Sequence, residues 1–158
     1  MAEILSVIKQ DIRPGLRSTS DTGRRGEDLA AEFLKTNGYR LILSNFKVPV
    51  GRNTRGVAIT GEIDIVAIEG ETLCFVEVKT KTSDQFAGPL ATVTLRKQRQ
   101  ITRTARIYRR IFGLKEMQYR YDVIALVLKP KAEPSIELVR GFWSESKFRK
   151  RAWSGDIY

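Results

Sequence analysis

Four charged residues stand where strands should be apolar. The stretch GEIDIVAIEGETLCFVEVKTK, residues 61–81, is rich in Ile, Val, Leu and Phe, yet it carries Glu62, Asp64, Glu77 and Lys79 in its middle. An ionised group buried among such neighbours costs several kcal/mol unless it is paired or bound to a metal. Side chains alternate across a strand, so Glu62 shares a face with Asp64, and Glu77 shares one with Lys79. A short turn at Glu69–Glu71 pairs the two strands and brings those faces together. Crowded carboxylates repel each other, but a divalent cation held by Asp64 and Glu77 reverses that cost, with Lys79 beside it as a cationic or proton-transferring group. The competing reading is a buried Glu77–Lys79 ion pair beside a strand face open to water.

Composition limits the choice of ion. The chain has no histidine and one cysteine, Cys74, which sits inside an apolar strand and reads as a small core residue. Intrachain disulfides, zinc ribbons, Ser-His-Asp triads and histidine-ligated metals are therefore excluded. The cation must be hard and held by oxygens, which points to Mg2+ or Mn2+.

The elements that position these residues follow in order. The 158 residues fit one domain. Residues 1–21 read as an N-terminal extension, 22–140 as the domain, and 141–158 as a basic, aromatic tail with Phe142, Trp143, Phe148 and Trp153 among cations. GRRGEDLAAEFLKTNG, capped by Asp21 or Thr22 and closed by Gly38, is an amphipathic helix. Glu27 lies in line with its apolar residues Ala31 and Leu34 and turns toward the core, a second carboxylate out of place. YRLILSNFKV (39–48) is a strand and residues 49–60 are a loop or a long hairpin tip. An antiparallel meander, a helix over 94–112, a buried strand over 119–128 and an edge strand over 135–140 complete an α-β-β-β-α-β order.

Asp, a spacer, then Glu-x-Lys is weak as bare text, because Asp122 followed by Glu145-Ser146-Lys147 matches it too. In the context of IDIVA and CFVEVK on adjacent strands, these residues resemble the PD-(D/E)xK nuclease superfamily, with Ile63 where its name has proline. GRRGEDLAAEFLKTNGYRLILSNF, GEIDIVA, FVEVKTK, FAGP, KQRQI and YRYDVIAL are together similar to the YraN-like family, relatives of archaeal Holliday junction resolvases, over roughly residues 22–128. The chain departs from that family in its N-terminal extension and in an insertion at 49–60, which either gates substrate or, the preferred reading, is a plain loop. The resemblance implies an α/β fold with a restriction-endonuclease-like core, a mixed central sheet flanked by helices. It also implies metal ligands at Asp64, Glu77 and the Val78 carbonyl, with Glu27 completing or tuning the site and Lys79 handling the attacking water.

A net charge of +10 makes a polyanion the first partner to consider. On the 94–112 helix, Arg96, Arg99, Arg103, Arg106 and Arg110 form one stripe, and seven basic residues run from Arg96 to Arg110 without an acid. Phosphate backbone is their natural counterpart. Gln98 and Tyr108 fall on the packed side, as core residues or as hydrogen-bonding support for the metal ligands. The expected function is a divalent-metal-dependent nuclease acting on DNA, with branched or flapped DNA among the candidate substrates. The alternatives are a non-catalytic nucleic-acid-binding module of the same fold and a basic adaptor for an acidic protein. No apolar run suits a membrane helix or a signal peptide, so the cytoplasm is the expected compartment; a homodimer stays open.

Overall fold

A computed structural model describes residues 21–82 and 88–149. Residues 1–20 of the N-terminal extension, residues 83–87 and the tail from 150 onward, with Trp153, lie outside them. The chain runs helix α1 (Asp21–Thr36), strands β1 (Arg40–Arg52), β2 (Ala58–Glu69) and β3 (Thr72–Lys81), helix α2 (Leu95–Ile111), then β4 (Tyr119–Val127) and β5 (Ser135–Trp143). Short 3-10 turns precede α2 at Pro89–Thr92 and follow β5 at Glu145–Phe148. No helix among the described residues is long and apolar enough to cross a membrane.

The five strands form one mixed sheet in the order β1-β2-β3-β4-β5. β1, β2 and β3 make the expected antiparallel meander, β4 lies parallel to β3, and β5 closes the edge antiparallel to β4. A parallel step needs a crossover, which α2 supplies. Gly26, Ala30 and Leu34 recur every four residues along α1 and bury against one sheet face, in a cluster with Ile65, Cys74, Val76 and Ile124. Ile101, Ala105 and Tyr108 of α2 cover the other face with Ile63, Val66, Phe75 and Tyr121. Tyr108 is core: its ring meets Phe46 at 5.0 Å and Phe75 at 5.7 Å edge-on, and burial pushes its hydroxyl up to about 12.

Residues 49–60 are ordered differently from a plain loop. β1 runs on through Pro49 to Arg52 and pairs with Ala58–Thr60, so the insertion is the end of a long hairpin. Pro49 is tolerated because β1 is an edge strand, where a missing N–H costs no ladder bond. The aromatic residues at the end of β5 and just after it dock on their own domain. Trp143 stacks on Tyr121 at 4.8 Å and donates its indole N–H to Thr102 Oγ1 at 3.0 Å, while Phe142 and Phe148 pack against the α2-side core.

Two glycines set how closely the helices approach. A Cβ on Gly26 would stand 1.9 Å from Thr80 Oγ1, and one on Gly61 would stand 2.0 Å from Thr104 Oγ1 and 2.5 Å from a Val50 methyl. Within a helix, alanine normally outperforms glycine by up to about 1 kcal/mol. Here the close approach outweighs the propensity. Gly26→Ala is expected to destabilise the domain by about 1–3 kcal/mol in urea unfolding, with part of the loss recovered in Gly26→Ala/Thr80→Ala. A stabilised single variant would show that α1 and β3 are not tightly packed.

Candidate active site at the strand fork

The β2–β3 ladder pairs Glu69 with Thr72 and continues to Ile65 with Val76, where it ends although both strands go on. Side-chain alternation slips at the same place: Ile63 packs in the α2-side core and Ile65 in the α1-side core, with Asp64 between them. A backbone N–H exposed by such a fork needs another acceptor. Asp64 provides it, its Oδ2 accepting the Val78 N–H at 2.8 Å.

Next to Val78, Glu77 follows Phe75 on the α2 side of β3 and is 2% exposed. Its Oε1 lies 3.2 Å from Lys79 Nζ and 3.5 Å from Lys97 Nζ, both side chains being 28% exposed, so the cluster opens to solvent on the lysine side. Glu77 Oε2 is buried and, among the described residues, finds no hydrogen-bond partner. Burial and the neighbouring Asp64 push the Glu77 carboxyl up to about 7, against the opposing pull of Lys97 and Lys79. The ion pair expected of the competing reading is therefore present, but it satisfies one oxygen and leaves the other bare.

Asp122 shows what a satisfied buried carboxylate looks like in this protein. It accepts two bonds from Arg120, at 2.7 and 2.9 Å, one from the Tyr39 hydroxyl at 3.2 Å and one from the Gly141 N–H at 2.9 Å. Glu69 joins the same knot through Arg120 and Arg140, which hold its carboxyl down at about 2. Glu145, of the second text match, lies on a 3-10 turn and accepts from Arg109, Tyr121 and Arg106 at 2.8, 2.9 and 3.3 Å. None of these three carboxylates has an oxygen to spare in the way Glu77 does.

Asp64, Glu77, Val78 and Lys79 are brought together. Glu27 is half-buried on α1, but the residue seated on β3 is its neighbour Gly26. Among the described residues no three carboxylates converge closely enough to hold one ion, so Asp64 and Glu77 stand as a pair. Glu62 is half-buried and registers opposite Lys47. Gln98 is committed elsewhere: its Nε2 donates to the Val93 carbonyl at 2.9 Å and its Oε1 accepts from Lys147 at 3.2 Å. The α2 residue that reaches the site is Lys97. Sequence reasoning passed over it, although it lies one helical step before Ile101 on the packed face, the same signal that singled out Glu27.

Arg96, Arg99, Arg103, Arg106 and Arg110 are all exposed. The acid-free stripe nevertheless acquires one acid from outside the helix, since Glu145 engages Arg106, and Arg99 lies over the Phe148 ring at 5.6 Å.

Two carboxylates and two lysines at a fork in a mixed sheet, with a helix on each face, characterise an α/β protein with a restriction-endonuclease-like core. The chain belongs to the YraN-like family UPF0102, described as an uncharacterised protein family, whose profile it matches over residues 26–126. It is 38% identical over 131 residues to a UPF0102 protein of Prosthecochloris aestuarii, covering 79% of this chain and 95% of that one. It is 43% identical over 115 residues to one from Geobacter sulfurreducens, covering 73% and 82% of the respective chains.

The raised Glu77 carboxyl fixes a sign for stability. A carboxyl titrating near 7 in the native state and near 4.5 when unfolded binds its proton more tightly when folded, so stability is full below about pH 4.5 and falls as pH rises through 7. The loss is about 3 kcal/mol. Metal-free Glu77→Gln should therefore gain stability over the wild type at pH 8 and match it near pH 4.5, measured as urea midpoints across that range. Parallel curves would mean that Glu77 is not the buried, disfavoured charge described here.

Proposed function

We propose that the protein is a divalent-metal-dependent nuclease acting on DNA, with branched or flapped DNA among its candidate substrates. The observation that carries this reading is Glu77 Oε2, a carboxylate oxygen held beside Asp64 with no hydrogen-bond donor. Such an oxygen is costly in a merely structural ion pair and is what a metal ligand needs.

The donor set fits Mg2+ or Mn2+. Only oxygens are on offer, and these ions are commonly held by one or two carboxylates, with water and substrate phosphate filling the remaining positions. Asp64 and Glu77, with the Val78 carbonyl, would hold the ion, and Asp64 is already oriented by the Val78 N–H. Bound there, a divalent ion supplies Lewis acidity toward a phosphate oxygen and a lowered pKa for an attacking water. Lys79 and Lys97, on the open side of the pair, provide positive charge for the phosphate as negative charge builds on it. Lys79 is placed to orient or deprotonate water once Glu77 is engaged elsewhere. Gln98 would act at one remove, by fixing the start of α2, and Glu27 would complete or tune the site from α1.

The first turn of α2 also suits an anion. It contains Arg96 and Lys97 and no acid, although a helix N-terminus favours negative charge. Inside the protein Glu77 answers that excess; outside it, the phosphate backbone would. The arginine stripe continues the same positive surface along the helix.

A second reading, a non-catalytic nucleic-acid-binding module, has one observation in its favour. Two ammonium groups within 3.5 Å already offset the Glu77 charge without a metal. Isothermal titration with Mn2+ separates the two readings, because Asp64→Asn keeps the shape and removes the charge. Wild type should bind and Asp64→Asn should bind at least about tenfold more weakly; equal affinities would eliminate the metal site. On labelled linear, flapped and four-way DNAs, Mn2+-dependent cleavage should vanish in Lys79→Ala. That variant should melt within a few degrees of the wild type in EDTA, since Lys97 still faces Glu77. Cleavage at the wild-type rate would remove Lys79 from the chemistry.

The stripe has its own measurement. Arg99→Ala/Arg103→Ala should lower DNA affinity across sequences and flatten its salt dependence by about 0.9 log units for each phosphate no longer neutralised. Arg106→Ala should do less, because Glu145 already occupies its guanidinium. An unchanged slope in the double variant would turn the stripe toward some other partner.

A further inference from the structure

The insertion at residues 49–60 is a built object. Past the fork, the β1–β2 hairpin has no third strand beside it among the described residues, yet it stays paired to its end, with Pro49 opposite Thr60, Gly51 opposite Ile59 and Arg52 opposite Ala58. Its tip is closed by its own hydrogen bonds. Asn53 Oδ1 accepts the N–H groups of Arg55 and Val57 at 2.9 and 3.0 Å, and the Asn53 N–H donates to the Val57 carbonyl at 2.9 Å. The Arg52 guanidinium crosses to the Gly56 carbonyl at 2.6 Å, and Gly56 has the positive φ of +76° that such a tip requires. The base is clamped to α2, where Gln100 donates to the Thr60 carbonyl at 3.0 Å and Gly61 sits under Thr104.

This ribbon offers nothing for its own domain to bury. Residues 51–58 are all exposed, including Val57 at 59%. At about 3.3 Å per residue, the hairpin from Thr60 out to its tip reaches at most about 16 Å beyond the clamp. From Arg40 to Gly61 there is no acid, and the cations are Arg40, Lys47, Arg52 and Arg55. Gln100, the residue that clamps the base, lies between Arg96 and Arg103 along α2, so the arm springs from the edge of the arginine stripe.

We infer that this hairpin is a duplex-binding arm, which lays a positively charged two-stranded ribbon into the major groove of DNA next to the strand-fork site. The inference rests on the nucleic-acid partner of the proposed function and adds the element that selects duplex. A groove about 12 Å wide admits a two-stranded β-ribbon. Single-stranded nucleic acid is held chiefly by aromatic side chains on which bases stack. Residues 47–62 contain no aromatic residue, and Phe46, just before them, is turned inward onto Tyr108. Rigidity, charge and the lack of a stacking platform therefore favour phosphates and groove edges over unpaired bases.

The test is binding of the full chain, in EDTA, to a short labelled duplex and to one of its single strands, followed by fluorescence anisotropy across a salt series. One variant replaces residues 52–58 by Asn-Gly, a two-residue turn that joins Gly51 to Ile59; the other is Arg55→Glu. Trimming should weaken duplex binding on the order of tenfold while changing single-strand binding little, and flatten the duplex salt slope by at least about 0.9. Arg55→Glu should move both quantities the same way, and it decides the matter should the trimmed chain fail to fold. Undiminished duplex affinity, an equal loss on both nucleic acids, or a wild type that does not bind duplex would each overturn the arm. The nuclease reading stands or falls separately on Mn2+-dependent cleavage: a chain that binds through the arm and never cleaves would retain the arm and lose the nuclease.

Discussion

A single backbone donor organises the functional end of this protein. Where β2 leaves β3, the Val78 N–H loses its place in the ladder, and an unsatisfied buried N–H costs about 1–3 kcal/mol. Asp64 removes that cost at 2.8 Å and in doing so is brought next to Glu77. The fork thus creates both the need for a carboxylate and the crowding of carboxylates. Burial, together with the crowding, keeps Glu77 difficult to ionise, and among the described residues Lys97 and Lys79 counter it. The fold tolerates the arrangement because the rest of the sheet is conventionally packed, with apolar clusters on both faces.

The two buried acids on the parallel strand pair make the contrast concrete. Val76 of β3 registers opposite Asp122 of β4, so Glu77 and Asp122 lie on adjoining strands only one register position apart. Asp122 has both oxygens satisfied by donors on Arg120, Tyr39 and Gly141; Glu77 has one oxygen satisfied and one bare. Both sit in the same sheet, so sheet position alone does not explain the difference. Asp122 is tied to the edge strand and to Tyr39, just beyond α1, and braces the fold. Glu77 has only the two lysines on one of its oxygens and is held less completely.

Much of this was legible in the residues themselves. Alternation in the strands and the 3.6-residue period of the two helices placed every element of the α-β-β-β-α-β core, and the charges in IDIVA and CFVEVK marked the residues that the strand fork brings together, because apolar strands rarely contain them. Three features were less accessible. Lys97 was obscured by its neighbours, since one lysine in so basic a helix draws no notice unless its facing strand is known. The docking of Glu145 on Arg106 and Arg109 spans more than thirty residues of sequence, and no local pattern announces it. The segment 49–60 reads equally as a loop or a long hairpin tip because glycine, proline and arginine dominate it. Its strand pairing is fixed by register with Ala58–Thr60 and by the Asn53 cap, and composition reports neither.

The fork and the arm are consequences of one another. A β2 that stayed paired with β3 along its length would keep its outer half within the sheet, and Asp64 would face a ladder bond in place of a bare N–H. Releasing that half after Ile65 frees the β1–β2 ribbon to project while Gly61 lets α2 pass close over its root. The same departure that exposes the carboxylate pair therefore aims a rigid, acid-free ribbon outward beside it. A longer or shorter ribbon would alter its reach without disturbing the Asp64–Val78 bond, because the clamp at Thr60 and Gly61 lies between the two. That separation allows an insertion in this hairpin to change its length and surface charge while leaving the geometry of the carboxylate pair at the fork intact.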